Sequence, residues 1–233
     1  MKRMIFENFP KVRPELPEEY KKIYDEHYRN NREGNSASTS LSQRLESWMH
    51  YKVASDVKNN TTQNLSTLEI GAGNLNHLKY EPEILNYDVV EPFANLLNTS
   101  SVKSRVRNIF NDISDIDGTH KYDRIISIAC FEHVTNLPEM IEKAVTLLKP
   151  GGRMRVAIPN EGTLMWRLGT MVTGYEFKKR YGLDYQILMK HEHVNTANEI
   201  EEILKFYFKN VRCSVFGLNK KFAFYRFYNC MMV

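Results

Sequence analysis

What the chain lacks narrows its class. Its three cysteines, Cys130, Cys213 and Cys230, are scattered and form no CxxC pair. That excludes a disulfide framework, a zinc ribbon and a thioredoxin motif, and makes a reducing cytoplasm the expected compartment. No stretch approaches the roughly 18 apolar residues of a membrane span. The basic start "MKRMIFENFP" is not followed by a long apolar run, so no membrane partner is expected. Charge of one sign is also scarce. Lys and Arg number 32 against 28 Asp and Glu, a net +4. That balance demands neither nucleic acid nor an anionic surface, and nucleic acid is not expected as a partner. Internal repeats and low-complexity tracts are missing.

What is present reads as an ordinary globular protein of 233 residues, 42% hydrophobic and 26% charged. Pro10, Pro14 and Pro17 predict an extended lead-in. "PEEYKKIYDEHYRNN" then reads as a helix, acids early and bases late. "LSQRLESWMHYKVASDV" sets Leu41, Leu45, Trp48 and Met49 near one helical face, and Val53 continues it. Residues 1–60 are therefore expected to form a helical extension that caps a domain of residues 61–233.

From Ser66 the pattern alternates. "STLEI", "NYDVVE", "RVRNIF", "YDRIISIA" and "GRMRVAIP" read as strands. "NLNHLKYE", "FANLLNTS" and "LPEMIEKAVTLLK" read as helices between them, the last stopped by "KPGG". Alternating β and α segments predict a parallel sheet. After Pro159 the alternation breaks. An aromatic and basic stretch at about 160–195 reads as a lid. "TANEIEEILKFYF" follows as an amphipathic helix with Thr196 as its N-cap. Two strands around "GLNKK" close the chain.

The stretch "TLEIGAGNLNHL" carries the first chemical signal. Gly71 and Gly73 let backbone approach a ligand at the carboxyl edge of the sheet. A dinucleotide fingerprint needs a third glycine where Asn76 stands, and a P-loop needs a Lys and Ser/Thr that do not follow. Glu69, just before the turn, opposes a pyrophosphate and tolerates a cationic or zwitterionic ligand. Glu91, at the end of "NYDVVE", can accept from both hydroxyls of a ribose. Asp112 can accept from an exocyclic amino group, and Ile113 can cover a purine face. The edge suits an adenosine ligand without a phosphate site.

These residues resemble the class I S-adenosylmethionine-dependent methyltransferases, of the small-molecule type. "LEIGAGN" looks like the first motif, Glu91 the ribose-binding acid and Asp112 the adenine-contacting acid. "YDRIISIACFEHV" resembles the fourth motif and "LLKPGGRMRVAIP" the fifth strand with its turn. The likeness covers roughly Leu65 to Pro159. It departs from the pattern at Leu75, where many members carry a third glycine. It implies an α/β, Rossmann-like, doubly wound sheet of seven strands, mostly parallel with an antiparallel last strand. It implies S-adenosyl-L-methionine as cofactor and S-adenosyl-L-homocysteine as product. The cofactor residues it implies are Glu69, Gly71, Ala72, Gly73, Glu91, Pro92, Asp112, Ile113, Ala129, Cys130 and Phe131.

The acceptor side is read from "CFEHV" and "HEHVN". A histidine near neutral pKa suits removal of an acceptor proton, so His133 and His193 are candidate bases. His191 and His193 share one face if the stretch is extended. Their spacing matches no zinc motif, and no metal is assigned. Metal assistance stays the alternative to a histidine base. Glu132 and His191 are expected on the substrate wall. Tyr175, Tyr181 and Tyr185 could stack a ring, and Lys178, Lys179 and Arg180 could meet a phosphate. Arg44 and His50 are expected to face the cofactor. The expected reaction is methyl transfer to a small molecule, at an oxygen of a sugar or nucleotide-linked sugar. Methylation of RNA or protein, and non-catalytic binding of the cofactor, are the alternatives.

Overall fold

The computed structural model describes residues 6–24, 37–58, 65–83 and 86–232. Residues 18–24 are helical, and the rest of the helix expected over "PEEYKKIYDEHYRNN" falls outside the described residues. The first long helix, α1, is Ala37–Ala54. The side chain of Arg44 lies outside the described set.

Among the described residues, seven strands form one sheet: β1 (Ser66–Ile70), β2 (Asn86–Val90), β3 (Asn108–Phe110), β4 (Tyr122–Ile128), β5 (Leu148–Pro159), β6 (Asn210–Gly217) and β7 (Ala223–Met231). Their order is β3-β2-β1-β4-β5-β7-β6. The pairs within β1–β5 are parallel, and β7 runs antiparallel to both β5 and β6. This is the Rossmann-like sheet with an antiparallel last strand that the motifs imply. Every residue of β1 is buried, as a central parallel strand covered on both faces requires.

Helices α2 (Leu137–Leu147) and α5 (Ala197–Tyr207) cover one face through Leu137, Ile141, Ala144, Ile200 and Leu204. Pro138 starts α2 where its missing N–H costs nothing. Thr196 and Glu199 close a capping box on α5, as Thr196 promised.

The other face differs from expectation. "NLNHLKYE" and "FANLLNTS" form only 3-10 turns, at Asn76–Tyr80 and Ala94–Thr99. Neither has a side-chain N-cap: Leu75 and Phe93 stand at those positions and supply no cap hydrogen bond. The N-terminal α1 fills the space, burying Met49 and Val53 against Leu75, Leu78, Val89 and Ile126.

The stretch read as a lid is helical, comprising α3 (Leu164–Tyr181) and α4 (Tyr185–Glu192). Thr163 and Asp184 cap them, and Gly182 ends α3 in a left-handed conformation. Leu16 and Tyr20 pack against Phe177 and Leu188, so the lead-in segment is packed onto α3 and α4.

Candidate active site

The strand order reverses between β1 and β4, where sheets of this kind bind ligands beyond the carboxyl ends. A cavity of about 620 Å³ opens there. Left-handed Gly71 (φ 74°) and Gly73 (φ 54°) line it, and left-handed Leu75 (φ 65°) turns the same loop from the core behind. A Cβ on Gly71 would stand 2.4 Å from Cys130 Sγ, so this turn admits no side chain. Leu75 holds the backbone that a third glycine would hold. The left-handed conformation costs a residue with a Cβ about 1–2 kcal/mol. Leu75 is 1% exposed, and burying a leucine contributes about 1.5–3 kcal/mol. Packing therefore outweighs the strain, and the loop keeps its shape with leucine in place.

Glu69, Ala72 and Ala129 line the cavity with the two glycines. Burial pushes the Glu69 carboxyl up to about 8, although the Tyr87 hydroxyl donates to it at 2.8 Å and opposes the rise. Glu91 is buried at the end of β2. Its Oε2 accepts from Gly73 N–H at 2.6 Å and its Oε1 from Phe93 N–H at 3.0 Å. Pro92 follows it at the surface. Asp112 is exposed, and its Oδ1 accepts from Ser114 N–H and Oγ–H, which holds its carboxyl below the usual range. Ile113 is buried. Cys130 packs on Gly71, and Phe131 is fully buried in the core rather than in the cavity wall.

The end of the cavity expected to hold the acceptor is built where β4 meets α3 and α4. Ala129 is left-handed (φ 48°), and a 3-10 turn, Phe131–His133, follows. The Glu132 carbonyl accepts from Val194 N–H (2.8 Å) and Asn195 N–H (3.1 Å), which stitches this turn to the link after α4. His133 and His193 thereby meet edge to face, centroids 4.8 Å apart, and Trp166 stacks on His193. His193 Nδ1 lies 2.7 Å from Glu161 Oε2, and His133 Nδ1 lies 2.9 Å from the Glu192 carbonyl. Burial alone would lower the His193 pKa. The Glu161 hydrogen bond and the charges of Glu132, Glu161 and Glu192 outweigh it and raise the value. One ligand-type atom from each of Glu132, His133 and His193 falls within 4.8 Å of the others, so this set can hold a cation.

Other expected substrate residues are placed elsewhere. The "HEHVN" stretch is not extended. Asp184 caps α4, which runs to Glu192, so His191 and His193 do not share a strand face. His191 Nδ1 instead meets the Pro14 carbonyl. Tyr175 is 73% exposed. Arg180 lies over the Tyr181 ring, and Tyr181 packs on Phe177. Of the three tyrosines expected to stack a ring, Tyr185 reaches the cavity wall, with Trp166, Leu188 and Met189, and Tyr24 of the lead-in reaches it too. Lys178, Lys179 and Arg180 form the exposed end of α3 and do not line it.

Sequence reasoning missed Trp166, Glu161, Glu192 and Arg13. Arg13 donates to the carbonyls of His133 (2.7 Å) and His191 (2.7 Å). His50 does reach the cavity, and it arrives with partners that no local pattern announces. Its Nδ1 lies 3.0 Å from His77 Nδ1, and its ring stacks flat on Tyr80. Burial, aided by His77 and Lys79, lowers His50 to about 3.

The chain matches the Methyltransferase domain family over residues 43–206. It belongs to that family. Among solved structures, it is similar to a plantazolicin methyltransferase bound to a desmethyl analogue and S-adenosylhomocysteine, at 15% identity. That match covers 92% of this chain and 94% of the other, with a TM-score of 0.62. A possible histamine N-methyltransferase from Thermotoga maritima is similar at 14% identity, covering 92% and 99% of the two chains, with a TM-score of 0.58. An O-methyltransferase family protein from Burkholderia thailandensis is similar at 13% identity, covering 99% and 67%, with a TM-score of 0.55. No curated protein matches. The methyltransferase is thus of the class I, S-adenosylmethionine-dependent kind. Among its described residues, no helix is long and apolar enough to cross a membrane.

Proposed function

We propose that this methyltransferase acts on a neutral small molecule, at a hydroxyl oxygen such as that of a sugar. The observation that carries the reading is that His133 and His193 line the cavity beyond Ala129 and meet the buried Glu132 there. Glu69, Gly71 and Gly73 would hold the methionine end of S-adenosylmethionine, Glu91 the ribose, and Asp112 with Ile113 the adenine. The glycine at 71, which any Cβ would block, and the buried Glu69 fit a close, cationic ligand. When bound, this cofactor supplies an electrophilic methyl on a sulfonium. The protein's part is to orient the acceptor oxygen and to accept its proton at His133 or His193. A nucleotide-linked sugar is less well supported, because Glu46, Glu69 and Glu192 line the cavity with Lys79 while Lys178–Arg180 lie outside it. A cytoplasmic setting belongs to the same reading.

The reading is tested by calorimetry and turnover together. Glu91→Ala should weaken cofactor binding at least tenfold, and unchanged affinity would remove the ribose assignment. His133→Ala and His193→Ala should lower labelled-methyl transfer to sugar acceptors while leaving cofactor affinity within a few-fold. Full turnover in both variants would refute the acceptor seat.

A further inference from the structure

The two histidines at the acceptor end are tethered as metal ligands are. A metal-bound imidazole donates its other ring N–H to a carboxylate or carbonyl, which fixes the tautomer and aims the free nitrogen. His193 Nδ1 has Glu161 Oε2 at 2.7 Å, and His133 Nδ1 has the Glu192 carbonyl at 2.9 Å. With Nδ1 protonated in both rings, Nε2 presents a lone pair in both. Glu132 completes the set. It is 1% exposed, and its Oε2 is buried with no hydrogen-bond partner among the described residues. A carboxylate oxygen buried without a donor calls for a positive charge. Glu132 Oε1 stands 3.8 Å from His133 Nε2, and one atom of each residue lies within 4.8 Å of the others. Among the described residues, the basic side chains Arg13 and Lys11 packed nearby are engaged elsewhere. Arg13 binds the carbonyls of His133, His191 and Glu192, and Lys11 pairs with Glu199.

We propose that Glu132, His133 and His193 form a two-histidine, one-carboxylate site for a divalent first-row transition ion, open toward the cavity. Three protein ligands of this kind leave coordination positions for an incoming oxygen. The inference rests on the acceptor seat proposed above and changes only what removes the hydroxyl proton. An ion at this site lowers the pKa of the hydroxyl bound to it. The O–H proton passes to solvent, the oxygen lone pair forms the new O–C bond, and the C–S electron pair stays on sulfur. The histidines are then ligands rather than bases.

The test titrates the EDTA-treated full chain with Co²⁺ and Zn²⁺. One Co²⁺ per chain should bind with visible d–d absorption, and Zn²⁺ should displace it. Glu132→Gln should abolish the absorption, and Glu161→Gln should weaken Co²⁺ binding about 10- to 100-fold. Zn²⁺ should raise the melting temperature of the parent chain and not that of Glu132→Gln, which also shows whether that variant folds. No saturable Co²⁺ binding, or binding that neither folded variant changes, would overturn the proposal. Methyl transfer that survives EDTA with no ion bound overturns the ion and leaves the acceptor seat standing. Specific binding lost in Glu132→Gln, without methyl transfer to any hydroxyl, sustains the ion site and sinks the proposed acceptor.

Discussion

At the residue scale, the cradle depends on backbone handedness. Gly71 and Gly73 were legible because glycine is the residue that takes positive φ at no steric cost. Leu75 was not, because a leucine gives no sign of the φ 65° it adopts. Its strain is accepted because tertiary packing surrounds it. Backbone handedness alone therefore predicts the response at Gly71 but not at Leu75. Gly71→Ala adds left-handed strain and a contact 2.4 Å from Cys130 Sγ. It should cost about 2–5 kcal/mol of stability and remove cofactor binding, read by chemical denaturation and calorimetry. Leu75→Gly relieves strain of about 1–2 kcal/mol but deletes a buried leucine side chain, and so should destabilise on balance. The cofactor's positive charge should also favour ionised Glu69. At neutral pH that carboxyl is raised to about 8 in the free protein. Binding should then release a proton, and affinity should rise with pH up to about 8. Calorimetry in buffers of different ionisation enthalpy reads this directly, and a buffer-independent heat would refute it.

At the element scale, the N-terminal region does two jobs. Helix α1 takes the place of the connecting helices that "NLNHLKYE" and "FANLLNTS" do not form, and it brings His50 to the cavity. Its amphipathic face was readable from Trp48, Met49 and Val53, but its docking place was not. The segment before it straps the lid. Lys11 N–H donates to the Thr135 carbonyl, Arg13 binds three carbonyls around His133 and Glu192, and Tyr20 meets Asp184. Arg13→Ala should cost about 1.5–3 kcal/mol, the range for charge-assisted hydrogen bonds. Because its partners carry the acceptor end and not the glycine cradle, turnover should fall further than cofactor affinity. Equal losses in both would argue that the strap acts on the whole domain.

At the scale of the whole molecule, a buried ionic web joins α1 to the sheet. Arg124 binds Glu81 and Asp56, Arg155 approaches Asp56 at 3.3 Å and donates to the Val53 carbonyl, and His77 links Glu81 to His50. Burial alone would raise Glu81, but His77 and Arg124 outweigh it and hold the carboxyl at about 2. A carboxyl depressed from its ordinary 4.5 stabilises the fold fully above about pH 4.5 and loses that contribution as pH falls toward 2. His50, held at about 3 against an ordinary 6.5, acts in the same direction, because the unfolded chain takes up its proton first. Glu69, raised to about 8, acts in the opposite direction between 8 and 4.5 and offsets His50 there, so stability should decline as pH falls below about 4.5 toward 2. Glu81→Gln should flatten the lower limb of that curve in acid titration followed by circular dichroism. The sequence by itself determined the sheet, its ligand class and the glycine cradle, because these rest on local periodicity and backbone handedness, which neighbouring residues encode. The tertiary structure alone decided the meeting of Glu132, His133 and His193, the Arg13 strap and the His50–His77–Glu81 web. Those contacts join residues far apart in the chain, and only the packing of the sheet, α1 and the lid sets their distances.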